Sequence, residues 1–297
     1  MTPDPAGLTD GVVALLPEPG QNGTHRFSVG QDGRRVGRVE LSEQPDGRGR
    51  LSWELEPEAT GHGYATRAVR ILVDYAFRAV GLDRVEAYVD PANERAMRVA
   101  TRSGLQREGV LRGHGLVDET RADQVVLARL ATDPPTTEPA GFRALLNSFL
   151  PRKRAIGQLL MRDLEGRVLL CRLTYKNDWD LPGGVVEVNE SPRAAVAREV
   201  QEELGLDVAA GPLLLTDWLP PWSGWDDALC LVFDGGAHDP SVLDRAALQP
   251  REIRSVRFCT PEEVREHCAD FTARRIESAL VTLAGPGGPA FTESGRP

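Results

Sequence analysis

Glu199, Glu202 and Glu203 stand at i, i+3 and i+4. On a helix that spacing brings three carboxylates onto one face. Neighbouring carboxylates repel, so such a face is either fully solvated or holds a cation. Hard oxygen donors suit Mg²⁺ or Mn²⁺, above all where a phosphate completes the shell. Three glutamates alone read as a solvated acidic face. A second set lies far upstream, in Gly61-His62-Gly63-Tyr64-Ala65. Glycines in such a loop let the backbone approach a diphosphate, and a following helix offers it unpaired N–H groups. By itself a short G-x-G is equally an ordinary tight turn.

The elements that must position these groups follow from periodicity and end signals. Ser191 suits a helix cap, Pro192 the first helical position and Gly205 the residue past the end, which predicts a helix over 192–204. Val196, Ala197, Val200 and Leu204 fall on a different face from the glutamates and form its buried side. Strands are predicted at 155–161, 168–173, 181–186, 213–219, 228–233 and 256–258, and helices at 262–267 and 272–283. This is an α/β/α sandwich with a mixed sheet. Around the glycine loop, strands are predicted at 12–16, 26–30, 35–41 and 51–55, with Gln31-Asp32-Gly33 as a hairpin turn. A helix over 65–80 places Ala65, Ala68, Val69, Leu72, Ala76 and Val80 on one face, and Gly81 ends it. A strand at 85–89, a helix at 93–103 and a strand at 124–130 closing a hairpin complete an α+β pattern. A dinucleotide-binding reading of the glycine loop fails, because its third fingerprint position is Thr66 and the element order is wrong.

The 297 residues allow two domains. The boundary falls in ATDPPTTEPAG, residues 131–141, read as a stiff exposed linker, with a short helix at 142–150. Residues 284–297 read as a disordered tail. The net charge of −9 is uneven, −2 over residues 1–130 and −7 over 131–297, which argues against a binder of nucleic-acid backbones. No run reaches the 18 or so apolar residues of a membrane span, and the start carries no secretory signal. Four cysteines without a CxxC pair leave a reducing cytoplasm as the expected setting. Cys259, His267 and Cys268 match no common zinc spacing.

Gly184, Glu190, Arg198-Glu199, Val200, Glu202-Glu203 and Gly205-Leu206 resemble the Nudix box at nine constrained positions, after a similar Leu181-Pro182-Gly183. The resemblance covers residues 152–283. It implies hydrolysis of a nucleoside diphosphate linked to another moiety, with Mg²⁺ or Mn²⁺ on Glu199, Glu202, Glu203 and the Gly183 carbonyl. It also implies a Glu190–Arg198 ion pair that holds the loop, and Glu199 or Glu203 as proton acceptor. Gly184 and Gly205 would shape the box. Trp179, Trp222 and Trp225 flank it and offer faces for a base or ring, or else belong to the core. Pro221 is spaced as in ADP-ribose pyrophosphatases, or else Pro220-Pro221 forms a turn. Arg152-Lys153-Arg154 either meets a phosphate or is a solvated run.

Residues 10–131 resemble GNAT-family N-acetyltransferases of the RimJ/RimL type. The resemblance rests on Trp53-Glu54-Leu55-Glu56-Pro57, Gly61 to Thr66, Pro91-Ala92-Asn93, Ser103-Gly104-Leu105 and Glu108 to Arg112. It implies that Gly61, His62, Gly63, Tyr64 and Ala65 bind the pyrophosphate of acetyl-CoA through their backbone amides, that 85–89 lines the pantetheine arm and that Asn93 contacts the cofactor. Glu54 would be the general base for an amine acceptor. Three departures stand out. Glu58 replaces the usual Arg or Gln, Ala96 replaces a frequent Ser, and only nine residues, 17–25, separate the first two strands where the family places helices. The expectation is a GNAT-like domain fused to a Nudix hydrolase. The alternative is an active hydrolase whose first domain is a binding or scaffolding module.

Overall fold

The structure, a computed structural model, describes residues 8–297. Most of the stretch read above for a secretory signal lies outside the described residues. The chain divides into a first unit ending at Pro151 and a second, Arg152–Pro297.

The first unit is a seven-stranded sheet. Strands β1 (Ala14–Glu18), β2 (Thr24–Gln31), β3 (Arg34–Gln44) and β4 (Arg48–Leu55) form an antiparallel meander. The β2–β3 turn uses Asp32 and Gly33 at φ 49° and 76°, the left-handed pair expected of a tight hairpin. Helix α1 (Tyr64–Tyr75) follows, continues through a wider turn over Ala76–Val80, and leads to β5 (Arg84–Val89) and α2 (Glu94–Arg102). Strands β6 (Gln106–Val117) and β7 (Thr120–Leu130) close the sheet in the order β1-β2-β3-β4-β5-β7-β6. The β4–β5 pair is the parallel one, and its pairing spans only Arg48–Arg50 against Arg84–Glu86. Beyond those residues the two strands are no longer paired to each other. Strand β6 was not delimited from its sequence, because Gly109, Gly113 and Gly115 interrupt its alternation and two register shifts break its pairing.

The stretch at 131–141, expected as a stiff exposed linker, is mostly exposed as expected, but its end is already helical, which is a correction. Helix α3 starts early, at Pro139, runs to Phe149 and lies beside β6, where the Arg107 N–H donates to Ser148 Oγ at 3.1 Å. Gly141 is buried against the Pro134 and Pro135 carbonyls, where only a residue without a side chain fits. Residues 134–149 therefore fold onto the first unit.

The second unit has strands β8 (Arg154–Asp163), β9 (Val168–Leu173), β10 (Trp179–Asp180), β11 (Gly183–Val185), β12 (Leu213–Leu219), β13 (Ala228–His238), β14 (Ile253–Cys259) and β15 (Phe291–Glu293). The sheet path is β10-β9-β8-β13-β12-β15, with β11 on β8 and β14 on β9. Two pairs, β8–β13 and β12–β15, are parallel, so the sheet is mixed. Alternation along β8 sends Leu159 and Met161 to the face covered by α4 (Pro192–Leu204). It sends Leu160 to the face covered by α5 (Pro261–His267) and α6 (Asp270–Ala284). The α/β/α layering and the mixed sheet are as the sequence implied.

The tail is a second correction. Residues 291–293 form β15 against β12, and Thr292 is fully buried. The Asp217 carboxylate explains this, accepting from the Thr292 hydroxyl at 2.7 Å and from the Gly295 N–H at 2.8 Å. Glycine- and proline-rich composition does not report that a buried acid elsewhere needs those donors. No helix among the described residues is long and apolar enough to cross a membrane.

Candidate functional site

In the second unit α4 forms as its end signals imply. Ser191 Oγ accepts from the Ala194 N–H, Pro192 opens the helix, and Gly205 ends it at φ 66°. Ala195, Val196, Val200 and Leu204 are buried, with Ala195 taking the place expected of Ala197. Glu203 is buried too, and its Oε2 accepts from the Gly183 N–H at 2.9 Å. Gly183 adopts φ 136° and a side chain there would strike the Gly157 carbonyl, so only glycine brings that N–H within reach. At Gly184 a Cβ would sit 2.5 Å from the Glu199 carboxyl carbon, so β11 lies directly under that side chain.

Arg198 ties the loop to the helix. Its Nε and Nη2 donate to the two oxygens of Glu190 at 2.9 and 3.0 Å, and Nη2 also reaches the Val185 carbonyl at 3.2 Å. Its Nη1 donates to Glu199 and to Glu202, each at 3.0 Å. Glu202 remains 59% exposed. The guanidinium holds the Glu190 carboxyl below its usual range. Burial pushes Glu199 upward, and the nearby Glu202 and Glu252 add to the rise against the pull of Arg198. Burial also pushes Glu203 up to about 8, helped by Glu199, Glu252 and Asp180.

Among the described residues no three carboxylate, imidazole or thiolate groups converge into a ready-made cation site. The donor chemistry nonetheless suits a hard divalent ion. Glu203 is buried with no ion-pair partner among the described residues, and the charges of Glu199 and Glu252 both push its carboxyl upward. Glu252 was not legible in the sequence. It precedes β14 between Arg251 and Arg254, where no spacing marks it.

A cavity of about 400 Å³ opens beside Gly183 and Gly184. Its aromatic lining includes Tyr175, Trp222, Trp225 and Phe271, and Pro220 and Pro221 also border it. Trp222 and Trp225 pair backbone to backbone across Ser223-Gly224. Arg154 stands over the Trp225 ring at 5.0 Å, and Lys153 pairs with Asp227, so the basic run holds this aromatic hairpin. Trp179 is elsewhere, stacked on His267 at 4.8 Å. A line of polar groups borders the cavity. Lys176 donates to Asp180, Gln158 Nε2 donates to Asp180, and Arg275 donates to both Gln158 Oε1 and Asp217. Arg275 has a signal in the sequence, a charge on the stripe of α6 that buries Thr272, Ile276 and Ala279.

In the first unit a cavity of about 450 Å³ is lined by Trp53, Glu54, Gly61, Gly63, Ala65 and Asn93, together with residues of α2. It lies between the end of β4, the glycine loop and α2, and no residue of 85–89 lines it, contrary to the expectation for that strand. Gly61 and Gly63 sit at φ 85° and 80° with open space where a side chain would be, which leaves the loop backbone accessible. Asn93 caps α2, its Oδ1 accepting from the Ala96 N–H at 3.0 Å. Glu54 is 75% exposed and pairs with Arg38 at 3.1 Å. His62 and Tyr64 stack on each other and line a separate small cavity with Glu58, Arg34 and Arg35. The side chains of His62 and Tyr64 therefore do not line the cavity expected for them. Nor does the Glu58 carboxylate.

Comparison with known proteins bears on both units. The NUDIX domain model matches residues 151–280, and the Acetyltransferase (GNAT) domain model matches residues 13–106. The chain is 36% identical over 126 residues to a MutT-like protein of Streptomyces ambofaciens, covering 41% of this chain and 73% of that one. The chain belongs to the Nudix family. Its first unit matches the GNAT domain model, so the chain joins a GNAT-type domain to a Nudix domain. That GNAT domain is 36% identical over 88 residues to the spermidine N(1)-acetyltransferase of Escherichia coli, covering 29% of this chain and 47% of that one. It is also similar to the structure of Mycobacterium smegmatis RimJ in complex with CoA-disulfide, at 28% identity, 42% and 60% coverage and a TM-score of 0.36. The chain spans less than half the length of the curated acetyltransferases it matches.

In the Nudix unit the box residues named from the sequence are gathered on α4, β11 and the loop between them. In the GNAT unit Gly61, Gly63, Ala65, Asn93 and Glu54 share one cavity.

Proposed function

We propose that the Nudix unit is a divalent-cation-dependent hydrolase of the pyrophosphate in a small nucleoside diphosphate derivative. One observation carries this reading: Glu203, a buried carboxylate with no cationic partner, lies beside Glu199 and adjoins an aromatic-walled cavity through Gly183. Glu199, Glu202, Glu203 and the Gly183 carbonyl would hold Mg²⁺ or Mn²⁺. When bound, the cation neutralises charge on the pyrophosphate oxygens and lowers the pKa of the attacking water. Glu203 is oriented through Oε2 by the Gly183 N–H, which leaves Oε1 for either the cation or the proton of the attacking water. Glu199 is the other acceptor in reach of this role. Glu190 and Arg198 hold the loop and aim Glu199. Trp222 and Trp225 stack on the base or ring.

The GNAT unit, in the same proposal, binds acetyl-CoA in the cavity between the end of β4, the glycine loop and α2. The backbone amides of Gly61 to Ala65 take the pyrophosphate, and Asn93 contacts the cofactor. Glu54 accepts the proton of a small amine, a class suggested by the spermidine acetyltransferase likeness. A second reading, a binding module without transfer, is favoured by the β1–β2 connection. It is a short turn with no helix among the described residues, so the acceptor side lacks the wall the family places there. A cytoplasmic setting is part of the proposal, supported by four buried free thiols. The acidic charge balance supports small-molecule partners over nucleic-acid backbones and membranes.

The test is a screen of nucleoside diphosphate derivatives with the full chain in Mg²⁺, in chelator, and with Glu202→Gln and Glu203→Gln. Hydrolysis that chelator abolishes and the variants reduce by roughly 100-fold or more is expected. Unchanged hydrolysis in both variants removes the assignment. Calorimetric titration of the full chain with acetyl-CoA tests the other unit, and no heat at millimolar ligand removes the cofactor assignment.

A further inference from the structure

Arg275 is the largest fully buried side chain of the described residues, 1% exposed, and it lines the cavity beside the Nudix box. Its Nε donates to Asp217 at 2.7 Å and its Nη1 to Gln158 at 3.0 Å. Its Nη2 is buried and has no partner. The groups around it are otherwise committed. Gln158 spends its amide N–H on Asp180 at 2.8 Å, and Asp180 also takes Lys176 at 2.7 Å. Asp217 is held from behind by Thr292 and Gly295 of the tail. A buried donor left unmet is costly, so a ligand that supplies an acceptor there is strongly favoured over one that does not.

The chemistry of that acceptor follows from charge. Two cations, Lys176 and Arg275, face two carboxylates, Asp180 and Asp217, so the line is already balanced. The cavity's other arginine, Arg154, stands over the Trp225 ring and donates to the Asp226 carbonyl, away from this line. Beside Arg275 itself a phosphate would therefore meet no uncommitted cation, whereas a neutral carbonyl needs only the hydrogen bond. The walls nearby, Trp222, Trp225 and Phe271, suit a flat ring. We infer that Arg275 is a specificity-determining residue whose free Nη2 donates to a ring carbonyl of the substrate's nucleobase. A base with a keto group, such as guanine, hypoxanthine, uracil or cytosine, satisfies it. Adenine presents an amino group at the edge where guanine and hypoxanthine present oxygen, and would set donor against donor. This rests on the hydrolase reading above and speaks against an ADP-ribose substrate.

The experiment compares kcat/KM of the full chain in Mg²⁺ for ATP with ITP, and for ADP-ribose with IDP-ribose. Each pair differs in the purine 6-substituent and in the N1 proton that accompanies the keto form. The keto member is expected to be preferred by about tenfold or more. Arg275→Lys, which keeps the counter-charge for Asp217, is expected to bring the ratio towards one while both substrates are still cleaved. A merely structural arginine would lower both substrates alike and leave the ratio. A wild-type ratio of one, or a preference for adenine, overturns the inference and leaves the hydrolase reading intact. A ratio that persists in folded Arg275→Lys overturns it as well. If that variant does not fold, the wild-type ratio alone decides. Failure to cleave any compound in the wider screen of nucleoside diphosphate derivatives removes the hydrolase reading and this inference with it.

Discussion

Glu203 combines two demands that rarely meet at one residue. It is buried, which pushes its carboxyl up to about 8, and it is fixed by a backbone N–H, which keeps it in place in either protonation state. A glutamine retains a carbonyl oxygen for Gly183 and removes the charge. Glu203→Gln is therefore expected to fold with a Tm close to the parent while Mg²⁺-dependent hydrolysis falls by roughly 100-fold or more. Thermal melts and steady-state rates on one sample check both halves, and a Tm collapse would count against the reading. Arg198 bridges three carboxylates through one guanidinium, which a point-charge ammonium cannot copy. Arg198→Lys should lower kcat more than it raises KM, because it disturbs where Glu199 stands and not the aromatic walls. Steady-state kinetics separate the two. The i, i+3, i+4 spacing put the three glutamates on one helix, but it was silent on their different surroundings. Glu203 is buried, Glu199 half-buried and Glu202 turned out to Arg198. Burial is set by what packs on the helix, and that is absent from the spacing.

At the scale of elements, α4 needs β11 close beneath it. Gly184→Ala would place a methyl group at 2.5 Å from the Glu199 carboxyl carbon, with no room to relax except by moving the side chain. Loss of hydrolysis with only a modest fall in Tm is expected, and activity at the parental level would show that Glu199 need not stand there. The β8–β9 turn makes a pH prediction. Burial pushes the Asp163 carboxyl up, but Arg167 and the Arg167 and Glu165 N–H groups outweigh it, so its pKa lies below the usual range. A depressed folded pKa stabilises the fold above the unfolded value of about 3.9, and that contribution is lost as pH falls through the folded pKa. Asp163→Asn should thus lower Tm by a few degrees at pH 7, with the gap to the parent narrowing below about pH 4. Helix α4 was legible from 192 to 204 because its cap, proline and glycine are local signals. Strand β6 was not, because its glycines and bulges suit a twisted edge that only its pairing with β7 reveals.

At the scale of the molecule, each unit carries its own core, and the chain's last residues belong to the second. Deleting 285–297 removes the Thr292 and Gly295 donors from Asp217 and leaves a buried carboxylate facing Arg275 with two acceptor sites unmet. The calorimetric transition of the Nudix unit should fall markedly, and an unaltered transition would mean that β15 adds nothing to its stability. The sequence by itself determined the two families, the layered class of each unit, the α4 helix and the residues of both glycine-bearing loops, since these rest on local periodicity and fixed spacing. Only the tertiary structure decided which groups meet across the chain. It turned His62 and Tyr64 away from the first cavity, folded the proline-rich stretch onto β6, and brought Glu252 to the box. It also set Arg275, Asp217 and Thr292 in one buried line, across separations of 58 and 75 residues. Such contacts are fixed by packing and by the need of buried polar groups for partners, and neither is written in the spacing of neighbours.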